Sequence, residues 1–395
     1  MLVASSLCRA QATNETRHLV TPAQVRPAIQ LSAHYLNRVC GETGRFAYLV
    51  DTRSSHISRS YNIVRHAGAI YALGMFNGSH TDRNAVDAMI RAANFMRANY
   101  VSQDARSKTL VVWSRPVPTK SDADLGATGL GLVALTGVDQ AQPNAIPLAQ
   151  LQSLGRFIRF LQNADGSFVS KYNPDTGPVG DWHSLYYPGE AALGLIALYE
   201  LDHSREWLIA AGKALAYLAK SRAGAQMLPA DHWALIATAK FLPYYDRSAC
   251  PAPRDELVEH ARRICDGILR EQITNAPDAR LDGAFDPSGR TTPAATRLEG
   301  LLAALEFLPV NEADFRARIE TTVDHGIAFL LRTQITAGPY AGGIPGAVFG
   351  AGSVVFKANS GASDIRIDYV QHALCAWLRY EAMLQRREPG RPGRR

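Results

Sequence analysis

Residues 126–138 read GATGLGLVALTGV, and residues 189–201 read GEAALGLIALYEL. Each stretch is long enough for about three to four helical turns, and each is small and apolar on every side. A helix without a polar face has to be buried all round. Four further stretches share this character: AGAIYALGMF at 67–76, HWALIATAKFL at 232–242, RLEGLLAALEFL at 297–308 and VQHALCAWLRYEAML at 370–384. Between them lie helices of the opposite kind, such as NAVDAMIRAANFMRANY at 84–100 and DELVEHARRICDGILREQ at 255–272. Their apolar residues recur every three or four positions with charges between, the pattern of a single buried face.

The alternation repeats six times, with a period of about 55–65 residues, which marks an array of helical hairpins. The amphipathic helices are expected near 22–39, 82–100, 146–163, 203–220, 254–272 and 312–334. The all-apolar ones are expected near 61–76, 124–138, 187–201, 230–243, 295–308 and 366–385. An outer ring of the first kind around an inner ring of the second satisfies both burial patterns. The predicted fold is therefore all-α, a single (α/α)6 barrel over 21–385 with short β-hairpin loops at its mouth. Residues 1–20 are expected to be a flexible N-terminal segment, and 386–395 a basic disordered tail. Links from an inner to the next outer helix are short, as in GVDQAQPNA (137–145) or LDHS (201–204). Links in the other direction are mostly long and lead into the N-terminal ends of the inner helices. Long loops gathered on one face mark it as the working face. Three carry a Gly-aromatic turn signature: Gly44 to Tyr48, Asp165 to Phe168 and Asp282 to Phe285. A β-turn whose aromatic side chain staples the loop to the barrel accounts for them.

The 395 residues are 47% hydrophobic with a formal net charge of +6, which provides for a large core and excludes wholesale disorder. Residues 385–395 hold five arginines against Glu388. The body is thus nearly neutral and has no basic patch interleaved with aromatics, so nucleic acid is not an expected partner. No apolar run is long enough to span a bilayer. Met1 to Ala12 is faintly like a leader ending in a small-x-small site but has no basic start. The expected location is cytoplasmic, with secreted or periplasmic as the alternative. Cys8, Cys40, Cys250, Cys265 and Cys375 are scattered, odd in number and without CxxC spacing, which argues against a disulfide framework and a zinc knuckle. Neither a heptad repeat nor a sheet edge is evident, leaving monomer or dimer open.

The polar residues at the starts of the inner helices are the most informative. Unit one offers Tyr61, Asn62, Arg65 and His66; unit two Asp122, Asp124 and Thr128; unit three Trp182, His183, Tyr186, Tyr187 and Glu190. Unit four offers Asp231, His232 and Trp233; unit five Thr296, Arg297 and Glu299; unit six Asp364, Arg366, Asp368, Tyr369, Gln371 and His372. Buried charge is costly unless paired or wetted, yet it recurs at one address in every unit. Capping accounts for Asp or Asn at a helix start, but not for charged residues a turn further in. A shared cavity does. The expected catalytic set is Asp124, Glu190, Asp231, Asp368, His66 and His372, because carboxylates beside like charges or arginines can be tuned into both acid and base. The expected substrate-binding set is Tyr61, Asn62, Arg65, Trp182, Tyr186, Tyr187, His232, Trp233, Arg297, Glu299 and Arg366, supplying stacking surfaces and guanidinium groups for an anion. His66, His232 and His372 stand on three inner helices and lack an HxxxH or HExxH spacing, so no metal and no cofactor is expected. There is likewise no nucleotide-binding GxGxxG, P-loop or GxSxG elbow.

The six-hairpin pattern over about 22–385 resembles the (α/α)6 toroids. These include glucoamylase-like and unsaturated glucuronyl hydrolases, sugar 2-epimerases, alginate and heparin lyases, and class II terpene cyclases. Two pieces look like the cyclases. Gln162 to Phe168 (QNADGSF) is similar to their QxxDGSW-type repeat. Asp122-Ala123-Asp124-Leu125 looks like a DxDD motif in which Asp124 would be the general acid and Leu125 replaces the following aspartate. The charged mouth is closer to the carbohydrate members. That resemblance implies a hydrolase, lyase or epimerase that uses acid–base chemistry on an acidic sugar or polysaccharide. An isoprenoid cyclase and a non-catalytic ligand-binding toroid are the alternatives.

Overall fold

The computed structural model describes residues 19–119, 121–180, 182–348 and 361–387. The leader-like Met1–Ala12, most of the N-terminal segment, Cys8 and tail residues 388–395 lie outside them.

Among the described residues the chain forms twelve α-helices in strict alternation. The outer ones are α1 (Pro22–Val39), α3 (Arg83–Tyr100), α5 (Leu148–Phe160), α7 (Arg205–Ser221), α9 (Arg254–Glu271) and α11 (Ala313–Thr333). The inner ones are α2 (Ile63–Ser79), α4 (Leu125–Ala141), α6 (Tyr187–Asp202), α8 (His232–Phe241), α10 (Thr291–Ala304) and α12 (Ile367–Arg387). The inner helices pack in the closed order α2–α4–α6–α8–α10–α12–α2, and each outer helix lies over the seam between two inner ones. The buried run of α4 extends unbroken from Leu125 to Thr136, and that of α6 from Gly189 to Leu198. The all-apolar sequences are thus the all-buried ones. α10 begins at Thr291, four residues before the expected start, because Pro293 sits in the first turn, where a missing N–H costs nothing.

The strands are short and lie in the long loops. β1 (Leu49–Asp51) pairs antiparallel with β7 (Asp364–Arg366), tying the first unit to the last. β2 (Val101–Gln103) pairs with β3 (Leu110–Val112), while β4 (Ala123–Asp124), β5 (Lys171–Asn173) and β6 (Gly177–Val179) form a small sheet joining units two and three.

The Gly-aromatic turns have a common mechanical role. Gly44, Gly166, Gly283 and Gly342 all have positive φ, and each presses its bare Cα against a carbonyl of the next outer helix, at Arg91, Lys213, His325 and Leu31 respectively. The residue ending the outer helix repeats the stitch. The Gln162 amide donates to the Ala210 carbonyl, Gln272 to Thr322 and Gln334 to Ala28. The last of these closes the outer ring from α11 back to α1. The QNADGSF segment is one of these stitches, and its Gly166 leaves no room for a side chain. A Cβ at that position would lie 2.4 Å from the Lys213 oxygen at φ +94°. Gly166→Ala is therefore expected to lower stability by at least about 2 kcal/mol, visible as a Tm decrease of roughly 2 °C or more. An unchanged melting curve would contradict the close approach.

Candidate active site

The inner helices meet at their N-terminal ends around a cavity of about 730 Å³. A second cavity, of about 570 Å³, opens among their C-terminal ends and has no histidine in its lining. Twelve of the expected site residues line the first cavity: Asn62, Arg65, Trp182, Tyr186, Tyr187, Glu190, His232, Trp233, Arg297, Arg366, Asp368 and His372.

The centre of the site is a pair of imidazoles. His232, at the first position of α8, and His372, in the second turn of α12, face each other edge to face with ring centroids 5.4 Å apart and planes at 75°. His372 Nδ1 lies 2.5 Å from Glu299 Oε1 and 3.1 Å from the Gln371 amide nitrogen. The contact fixes the orientation of the ring; an ionised Glu299 accepts from the tautomer that carries its proton on Nδ1, in which Nε2 keeps its lone pair. Burial pushes the Glu299 carboxyl up from its ordinary value, while His372 and Arg379 pull it back. His232 packs on Tyr186 and Trp233, each with its ring centroid 5.0 Å away. Burial, with His372 and Arg297 beside it, pushes its pKa well below the ordinary value and keeps the ring neutral. Both nitrogens of His232 and Oε2 of Glu299 are buried without a hydrogen-bond partner. Such atoms cost about 1–3 kcal/mol each unless something enters to satisfy them.

One wall is cationic. Asp368 is held bidentately by Arg366, at 2.5 and 2.9 Å, and singly by Arg65 at 3.2 Å. Arg65 also donates to the Tyr48 hydroxyl. Two guanidinium groups thus share one carboxylate. Arg290 is paired with Asp286, and Arg297 with Glu271. At the rim, Trp182 is 48% exposed, meets Tyr187 edge-on and lies under the Lys171 ammonium.

The opposite wall carries Glu190, which is only 4% exposed. Its Oε2 is without a partner and lies against Gly126, where a Cβ would come within 2.2 Å of it. Burial, then the charges of Asp231 and Asp124, push its pKa from 4.5 to about 8.

Five expected residues do not line the cavity. His66 is fully buried; its Nε2 is 2.9 Å from the Ala92 carbonyl on α3 and its Nδ1 2.8 Å from the Tyr61 hydroxyl. Tyr61 is thereby turned away with it, its ring under Arg45. Both fasten the inner to the outer ring. Asp231 is a buried N-cap, accepting from Ala234 N and paired with Arg222 at 2.9 Å. Asp124 precedes α4 and accepts from the Ser114 hydroxyl at 2.9 Å; burial raises its pKa. Glu299 reaches the site only through His372. Conversely, Asp286, Arg290 and Thr292 line the cavity and were not among the expected residues, because the start of α10 was placed too late. Tyr369 and Gln371 complete the lining from unit six.

No family model matches the sequence, and a search of the curated proteins finds no relative. Solved structures do match. Cellobiose 2-epimerase from Bacillus thermoamylovorans B4167 superposes with a TM-score of 0.68 at 12% identity, covering 91% of this chain and 98% of that one. A D-mannose isomerase gives 0.67 at 10% identity, with the same coverage. An unsaturated glucuronyl hydrolase specific for heparin gives 0.61 at 13%, covering 92% and 99%. The fold is that of the six-hairpin (α/α)6 toroids. Identities this low establish the fold of this toroid and leave its chemistry to the cavity itself. Among the described residues no helix is long and apolar enough to cross a membrane.

Glu190 gives the site a pH signature. Below pH 4.5 the carboxyl is protonated whether the chain is folded or unfolded, and no stability is lost. As pH rises towards about 8 only the unfolded chain ionises, so the folded state progressively loses stability. Glu190→Gln removes this term. It is expected to stabilise the protein by on the order of 3 kcal/mol at pH 7 and by almost nothing at pH 4, as measured by denaturant unfolding at both pH values. Equal effects at the two would show that the carboxyl is not held protonated.

Proposed function

We propose that this toroid is a carbohydrate-converting enzyme that moves a proton at the carbon beside a sugar carbonyl, as a 2-epimerase or aldose–ketose isomerase does. The observation that carries the reading is the facing pair of His232 and His372, with His372 Nδ1 committed to Glu299. A neutral imidazole fixed in one tautomer by a carboxylate presents its other nitrogen as a base. A second neutral imidazole opposite it supplies the partner for a two-base transfer.

His372 Nε2 takes the proton from C2 of the open-chain aldose. The C–H electron pair becomes the C1–C2 double bond, and the C1 carbonyl oxygen takes up a proton, giving a cis-enediol. Return of a proton to the opposite face of C2, with loss of the C1 hydroxyl proton, gives the epimer. Return to C1, with loss of the C2 hydroxyl proton, gives the ketose. Buried donors around the oxygen atoms support the developing charge far better than water does. The fold likeness to a cellobiose 2-epimerase and a D-mannose isomerase agrees with this chemistry.

The substrate is proposed to carry an acidic group, because Arg65 and Arg366 share Asp368 alone and leave one positive charge over on that wall. Trp182 and Tyr187 offer a stacking surface at the rim. A charged cavity of this kind suits a polar sugar and does not offer the aromatic cage a carbocation needs. A second reading, glycoside hydrolysis, has one observation in its favour. Glu190, in the lining of the cavity, is protonated near neutrality, as the general acid of such a reaction requires. Release of reducing ends from glycosides without C2 exchange would favour it.

The test is proton exchange in deuterium oxide, read by NMR on aldoses and on the matching uronates. The wild type is expected to replace the C2 proton with deuterium. His372→Asn and His232→Asn should each lower the rate by at least about 100-fold while the chain stays folded. Absence of exchange with every sugar would sink the reading. In the same assay, Arg366→Met is expected to raise KM for the acidic sugar by about tenfold or more and leave the neutral counterpart nearly unchanged. Equal changes for both would remove the acidic group from the proposal.

A further inference from the structure

We infer that His232, Glu299 and His372 also form a binding site for one borderline divalent cation of the zinc, cobalt or nickel type, and that its occupation switches the acid–base pair off. One ligand atom from each residue lies within 4.8 Å of the other two, and all three side chains are buried. They come from α8, α10 and α12, three consecutive helices of the inner ring, so the framework under them is rigid. Two imidazoles and one carboxylate are the donor set that such cations favour, and three protein ligands leave a fourth position open. Here that position faces the cavity, which His232 and His372 both line.

A second, independent feature points the same way. Both ring nitrogens of His232 and Oε2 of Glu299 are buried lone-pair or donor atoms without a partner. Small rotations about the side-chain bonds bring the three ligand atoms to the roughly 3.4 Å separation of a zinc tetrahedron with ~2.1 Å bonds. Gln371, already in contact with His372 Nδ1, is placed to orient that ring once a metal holds it. The nearest fixed cations, Arg297 and Arg379, act on His232 and Glu299, but each has a carboxylate partner of its own, Glu271 and Glu306. Sequence spacing gave no hint of this set, since each member lies more than one repeat from the next.

The site uses the same imidazoles as the proposed proton transfer but does not depend on that chemistry. A bound cation occupies the lone pairs that proton transfer needs. The experiment titrates the chelator-treated full chain with cobalt chloride in the absence of sugar and follows visible absorption and equilibrium dialysis. One cobalt per chain with ligand-field bands is expected. His232→Asn and Glu299→Gln should each weaken binding by at least about tenfold, and His34→Asn, on the exposed outer surface, should not. Zinc added to the metal-free enzyme is expected to abolish C2 exchange at one equivalent, with recovery on chelation. No cobalt bound above background, or binding that both site variants leave intact, would overturn the site. Zinc-stimulated exchange would overturn its role as an off-switch. Cobalt binding without any sugar exchange would leave the cation site standing and remove the proposed enzyme.

Discussion

The inner ring closes because glycine stands where its helices cross. A Cβ at Gly129 would lie 2.8 Å from the Ala191 amide, one at Gly194 2.6 Å from the Gly129 carbonyl, and one at Gly189 2.6 Å from the Trp233 carbonyl carbon. Gly300 is pressed in the same way against His232, at 3.1 Å. Backbones drawn this close keep the ring narrow enough for α8 and α12, which are not neighbours in it, to bring their imidazoles within 5.4 Å. A ring of larger residues would have a wider mouth, and the histidines would face solvent instead of each other. The geometry of the candidate site is thus a consequence of backbone packing several turns in extent, not of local contacts at the site alone.

The same dryness sets the electrostatics. Apolar inner helices bury the groups on the floor of the cavity, and burial disfavours the charged form of an ionisable group. Glu190 shifts up and His232 down chiefly for this reason, with the charges beside each adding to it. Asp368 is held by two arginines, and Asp231, which burial also pushes up, is tied to Arg222 and an N-terminal amide. Carboxylates at one structural address therefore differ in what they can do. The paired ones hold the wall in place, and the unpaired Glu190 remains a potential proton donor.

Much of this was legible in the sequence. Alternation of all-apolar and amphipathic helices is enough to give twelve helices and two rings, because each pattern has only one burial that suits it. The asymmetry of the loops pointed to the end of the barrel that holds the 730 Å³ cavity. The outer-ring stitches were half legible: Gly166 and Gly283 announce a turn, but the carbonyl each one meets lies some 45 residues on, beyond the reach of local reading. The start of α10 was placed four residues too late; Pro293 stands in its first turn, where it is no obstacle. Asp286 and Arg290 were missed with it.

The residues that turned out differently share a cause. Position along an inner helix fixes how near the mouth a side chain lies, and sequence gives that height well. It does not give the angle. Arg65 and His66 are one residue apart, so their side chains point about 100° from each other around α2. Arg65 reaches the cavity, and His66 turns outward to the Ala92 carbonyl of α3. On an amphipathic helix the polar face would have settled the rotation. An inner helix is apolar all round, so its rotation is set by the glycines and aromatics of its neighbours. Glu299 and His372 show the converse. Neither spacing nor motif joins them, yet the packing of α10 against α12 turns the two towards each other, and their contact orients the His372 ring.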